Sequence, residues 1–128
     1  QQVRLNLATN LKAIVSQRLL PSLKGGLVPA IEIMLNQGLV RELILKGEIG
    51  KIKEVMEQTN TLGMCTFDQS LLQLYANDLI SEDMVISNSD KPSDMKIKIQ
   101  QAKLSGSIKH SKNDALSVLD TSKISIRE

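Results

Sequence analysis

Between Gly38 and Ile80, apolar side chains recur every three or four positions in three successive runs, and the first two end in a helix-stopping glycine. Leu39, Val40, Leu43 and Ile44 share one face of the first run, and Gly47 behind them suits a left-handed C-cap. Ile49, Ile52, Val55, Met56 and Leu62 carry the period through the second, with Lys53, Glu54 and Glu57 on the other side and Gly63 closing it. Thr66-Phe67-Asp68-Gln69 then has the form of a capping box ahead of the apolar row Phe67, Leu71, Leu74 and Tyr75. The pattern predicts three short helices packed on one another.

Upstream, Val3, Leu7, Asn10, Leu11, Ile14 and Val15 fall along one helical stripe, which predicts a long first helix over residues 1–15. Pro21 would stop any continuation. Leu27 to Leu35 is rich in β-branched residues and of strand length, and Gly25-Gly26 before it favours a turn. A hairpin follows, with Gln17 to Leu20 as its first strand and Pro29 confined to an edge or a strand end. If Leu20 pairs near Val28, Arg18 and Glu32 share a face, and a cross-strand ion pair between them is expected.

Downstream, Ser81-Glu82-Asp83 offers a capping hydroxyl and two acids to a short helix carrying Met84 and Val85. Asn88 to Ser93 reads as a turn. Met95, Ile97 and Ile99 alternate with Lys96 and Lys98 as in a strand, whereas Ser93-Asp94 marks a helix start, and both readings stand. From Lys103 onward no period is sustained, so the chain divides into a folded part, 1–102, and a flexible basic tail, 103–128.

Composition narrows the function classes. Phe67 and Tyr75 are the only aromatic residues among 128, so the core must be aliphatic and methionine-rich, and no basic-aromatic interleaving exists to stack bases. A net charge of +2 gives no reason to invoke nucleic acid. No apolar run is long enough to span a membrane. The single cysteine, Cys65, has no basic neighbour in sequence and reads as an unreactive thiol. His110 stands alone in the tail and reads as solvated, while Asp68, Asp78, Asp90 and Asp94 fall where capping or turns explain them. No catalytic or metal residue is singled out. A phosphate-gripping loop of the form Gly-x-x-x-x-Gly-Lys-Ser/Thr is missing, because Gly25-Gly26 runs into Leu27-Val28. On its own the chain is expected to bind no cofactor and to be inactive as an ATP hydrolase.

Gly47-Glu48-Ile49, Lys51 to Met56, Gly63-Met64-Cys65-Thr66-Phe67-Asp68-Gln69-Ser70-Leu71 and Asp90-Lys91-Pro92-Ser93-Asp94-Met95 together resemble the C-terminal part of the type IV pilus twitching-motility ATPases, closest to the PilU-like branch of the PilT/PilU retraction family. The resemblance covers roughly residues 1–100 and implies a helix-rich α+β piece of a RecA-like P-loop ATPase domain: one antiparallel hairpin, then short helices. It implies a chain that is a fragment, with the nucleotide-binding motifs ahead of Gln1, and a parent that is a cytoplasmic hexamer, peripheral at the inner membrane and using ATP with Mg²⁺. Implied partners are a PilT-like retraction ATPase and an inner-membrane platform protein. Leu39, Val40, Arg41, Leu43, Ile44 and Gly47 lie in a helix similar to the family's retraction motif, Ala-Ile-Arg-Asn-Leu-Ile-Arg-Glu-Gly-Lys. Arg41, Leu43, Ile44 and Gly47 match it, while Leu39, Val40, Glu42, Leu45, Lys46 and Glu48 depart from it, and Gly50 stands where many relatives carry histidine. The alternatives are a free-standing helical interaction module and a related secretion or pilus-assembly ATPase.

Overall fold

The computed structural model describes residues 1–59 and 63–106. Helix α1 (Gln2–Asn10) leads into strands β1 (Ala13–Pro21) and β2 (Leu27–Leu35), followed by α2 (Gly38–Lys46). A single 3-10 turn (Ile49–Lys51) runs into α3 (Ile52–Gln58), and α4 (Phe67–Ala76), α5 (Glu82–Asn88) and α6 (Pro92–Leu104) complete a helix-rich α+β fold.

The long first helix is not formed: α1 stops at Asn10, and Ile14 and Val15 join β1 opposite Met34 and Ile33. Two β-branched residues in succession favour a ladder over a helix. The stop itself comes from far along the chain. The side-chain amide of Asn36 donates to the carbonyls of Leu7, Ala8 and Leu11 at 3.3, 3.1 and 2.8 Å, and the Asn36 backbone N–H donates to Lys12 at 2.9 Å. Those bonds satisfy carbonyls that a helix end leaves open. The face α1 buries is also other than predicted, since Ala8 is inside while Val3, Leu5 and Leu7 remain exposed.

Leu20 pairs with Val28 in the antiparallel hairpin, as the turn length requires. Gly25 and Gly26 both have positive φ, +93° and +70°, which two consecutive side-chain-bearing residues would not adopt cheaply. Arg18, Leu20, Ala30, Glu32 and Met34 share the face turned inward. Val15, Leu19 and Leu27 lie on the other, exposed face. On the outer edge of β2 the N–H groups of Ile31 and Ile33 bond Ser70 Oγ (3.0 Å) and the Cys65 carbonyl (2.8 Å). Pro29 has the same parity, so its missing N–H falls on that edge. The outer edge of β1 meets no further strand among the described residues.

Two apolar cores lie along the inward face. Leu20 and Ala30 close one core with Phe67, Leu71, Tyr75, Ile80, Val85, Met95 and Ile99. Met34 closes the other with Ala8, Val40, Leu43, Ile44, Ile52, Met56 and Met64. Strand β2 therefore contributes to both.

The capping box forms: Thr66 Oγ1 accepts from Gln69 N–H (3.3 Å) and Gln69 Oε1 from Thr66 N–H (2.9 Å). Ser81 caps α5 through Met84 N–H at 3.2 Å. Helix α3 is shorter than predicted, ending at Gln58 where Thr59 turns its hydroxyl back to the Val55 carbonyl, and Leu62 lies outside the described residues. Between Asp94 and Gln100 the helix prevails. Pro92 occupies its first turn, and Met95 and Ile99 are buried four residues apart while Ile97 faces out. Helix α6 runs through Lys103 to Leu104, and the flexible tail expected beyond it, with His110, lies outside the described residues from 107 onward.

Candidate functional site

Helix α2 buries Val40, Leu43 and Ile44 against α1 and α3, which leaves Leu39, Arg41, Glu42, Leu45 and Lys46 outside. Glu42 and Lys46 pair loosely at 3.9 Å, both well exposed, while Arg41 has no ion-pair partner among the described residues. Leu39 lines one shallow groove of about 330 Å³ with Gln37, Gly38, Val40, Val55, Thr59 and Met64. Leu45 lines another, of about 340 Å³, with Gln1, Gln2 and Leu5. The exposed ridge of α2 thus carries one free cation between two apolar troughs.

Gly47 ends α2 with φ +75°, and a Cβ placed there would come 2.5 Å from Arg4 Nη1. The guanidinium of Arg4 lies over the glycine at the negative end of the helix dipole. Of the six residues singled out from sequence, Val40, Leu43 and Ile44 are core, Leu39 and Arg41 are surface, and Gly47 is the cap. Sequence reasoning missed Arg4 and Leu45, whose roles depend on α1 lying across α2.

The inward hairpin face holds a second polar group. Arg18 and Glu32 share it, as expected, but make no ion pair with one another, because each finds a better partner. Arg18 stacks over the Phe67 ring, 4.1 Å from its centroid, donates to the Asn88 carbonyl at 3.0 Å and lies 3.7 Å from Asp90. Glu32 accepts from the Phe67 N–H at 3.2 Å and lies 3.9 Å from Lys53. Lys53 pairs with Asp90, whose backbone N–H donates to the buried Asp68 carboxylate at 2.9 Å. Partial burial pulls the Lys53 ammonium down, but the hydrogen bond and charge of Asp90, with Glu32 and Asp68 behind it, raise it overall. The cluster ties β1, β2, α3, the start of α4 and the α5–α6 turn together. It has no nucleophile or general base in a cleft, and its chemistry is structural.

Cys65 bridges to Ile33, and burial, with Glu32 nearby, pushes its thiol up from 9.0, away from the reactive thiolate. Among the described residues no cluster of His, Cys, Asp and Glu could hold a metal, and no helix is long and apolar enough to cross a membrane.

No family model matches the chain. The type IV pilus ATPase PilU of Pseudomonas aeruginosa is 40% identical over 100 residues, which is 77% of this chain and 26% of that protein. The type IV pilus retractation ATPase PilT of the same organism is 35% identical over 81 residues, 63% of this chain and 24% of that protein. The crystal structure of the pilus retraction motor PilT with bound ADP has a TM-score of 0.65 at 31% identity, covering 75% of this chain and 26% of that one. The Legionella pneumophila ATPase DotB, 15% identical with a TM-score of 0.51 over 79% of this chain and 25% of its own, shares the fold. The chain spans about a quarter of the length of the relatives it matches. Two pilus ATPases matched in sequence and a retraction motor matched in structure make this chain a member of the PilT/PilU family of type IV pilus ATPases, fitting its PilU-like branch.

Proposed function

We propose that the chain is the C-terminal segment of a hexameric pilus retraction ATPase and transmits force from hydrolysis carried out elsewhere in the parent. In this reading the parent is cytoplasmic and peripheral at the inner membrane. It works beside a PilT-like motor and turns ATP hydrolysis with Mg²⁺ into withdrawal of pilin through an inner-membrane platform protein. No residue set in this chain fits a nucleotide triphosphate, so no hydrolytic step is assigned to it. Its own contribution is α2. The observation that carries the reading is the outward Arg41, unpaired among the described residues and set between the grooves lined by Leu39 and Leu45. A free guanidinium flanked by apolar troughs suits a partner offering a carboxylate between apolar side chains.

Arg41→Ala in the full-length parent tests this. Twitching is expected to be lost while ATP hydrolysis stays within about twofold of wild type, because Arg41 is remote from the core. The same substitution in the 128-residue chain should change stability by no more than about 0.5 kcal/mol. Twitching that survives removes the coupling role. Unfolding of the chain would make Arg41 a packing residue instead.

A further inference from the structure

Charge is distributed unevenly over the described residues. From Lys91 to Gly106 four lysines stand against Asp94 alone, whereas residues 1–59 and 63–90 hold eight cations against ten carboxylates. The lysines of the two regions also differ in their surroundings. Lys46, Lys51 and Lys53 each have a carboxylate partner, and so does Lys103, which reaches Glu82. Lys91, Lys96 and Lys98 have none among the described residues. Helix α6 seats Met95 and Ile99 in the core, each 1% exposed, with Ala102 half-buried beside them. At about 100° per residue, the opposite side of the helix carries Ile97 and Leu104, two turns apart. They are 55% and 83% exposed. Lys96 and Lys98 flank Ile97 on its two sides.

A solvated face would be polar at its crest. This one is apolar at its crest and cationic on its shoulders, which is the layout of a helix lying in a lipid headgroup layer, with lysine stems reaching sideways to the phosphates. The ridge is convex and offers no groove for a peptide. We propose that α6 docks this chain on an anionic lipid surface, with Ile97 and Leu104 entering the headgroup region and Lys91, Lys96 and Lys98 meeting the phosphates. The slight negative charge of the remaining described residues would turn the rest of the molecule away from the same surface. The inference goes beyond the retraction reading and does not rest on it, since it needs no nucleotide, no pilus and no ring.

The 128-residue chain mixed with vesicles of equimolar phosphatidylglycerol and phosphatidylcholine should co-sediment, and with pure phosphatidylcholine it should stay in solution. Binding should weaken about fivefold for each lysine replaced, and disappear near 1 M salt where screening acts over about 3 Å. Lys96→Glu with Lys98→Glu should therefore abolish it, whereas Ile97→Ser with Leu104→Ser should weaken it at every salt concentration. Leu19→Ser with Leu27→Ser, on the exposed hairpin face, should leave the preference for anionic vesicles unchanged. Circular dichroism checks that each variant folds, and Lys96→Gln with Lys98→Gln replaces the glutamate pair if that pair does not. Equal binding to both vesicles, no binding at low salt, or full binding by the lysine variants overturns the proposal. So does salt-sensitive self-association in sedimentation velocity without vesicle binding, which would assign the ridge to a second copy.

Discussion

At Gly47 two constraints meet that would each be mild alone. A side chain there must adopt a left-handed backbone, costing about 1–2 kcal/mol, and must also displace the Arg4 guanidinium that occupies the space. Gly47→Ala is therefore expected to lower urea stability by more than the backbone cost, with the excess recovered when Arg4→Ala is made in the same chain. An unchanged penalty in the double variant would mean that Arg4 simply swings aside. The need for a glycine was legible, because a helical run followed by Gly is a common C-cap. The arginine above it was not, since Arg4 and Gly47 meet only once α1 lies across α2. Arg18 shows the same limit: strand parity put it on the face it occupies, but parity cannot name Phe67, Asn88 and Asp90, which arrive from later helices.

Helix α4 was readable end to end, and α1 was not, for a physical reason. The start of α4 is written locally: the side chains of Thr66 and Gln69 satisfy each other's backbone N–H groups within four residues. Thr66 is fully buried, so Thr66→Ala should cost about 1–2 kcal/mol in chemical denaturation, whereas Thr66→Ser should recover most of it. The end of α1 is written by Asn36, more than twenty residues away, and periodicity overran it. Tertiary charge contacts are similarly invisible in sequence. The Lys53–Asp90 pair joins α3 to the turn before α6, and since both side chains remain partly exposed its coupling in a double-mutant cycle should be no more than about 1 kcal/mol. Asp68→Ala should cost more, about 1–3 kcal/mol, because it strands the Asp90 N–H beside a buried site.

Across the whole molecule, the groups that folding perturbs upward all act at alkaline pH. Burial, with Glu82 alongside, raises the Tyr75 phenol above its ordinary 10.0. Burial raises the Cys65 thiol above 9.0, and Lys53 is held above 10.5 against its own burial by Asp90. Folding thus favours a neutral phenol, a neutral thiol and a charged lysine. Each contribution is complete below the group's unfolded value and is lost as pH rises through the folded one. Thermal unfolding should accordingly be insensitive to pH from 7 to about 9 and should fall steadily above that, with Tyr75→Phe showing a shallower decline above pH 10. A fall of equal slope in that variant would place the alkaline sensitivity elsewhere.

The bare flank of β1 also bears on how the chain behaves in concentrated solution. Its unpaired amides and carbonyls run for most of nine residues, and Val15 and Leu19 stand beside them uncovered. Two molecules could zip along that flank into a continuous four-stranded ribbon, and the same addition repeated is a route to fibrous aggregate. Leu19→Lys would act as a gatekeeper, and the chain carrying it should stay dispersed where the unaltered one clouds.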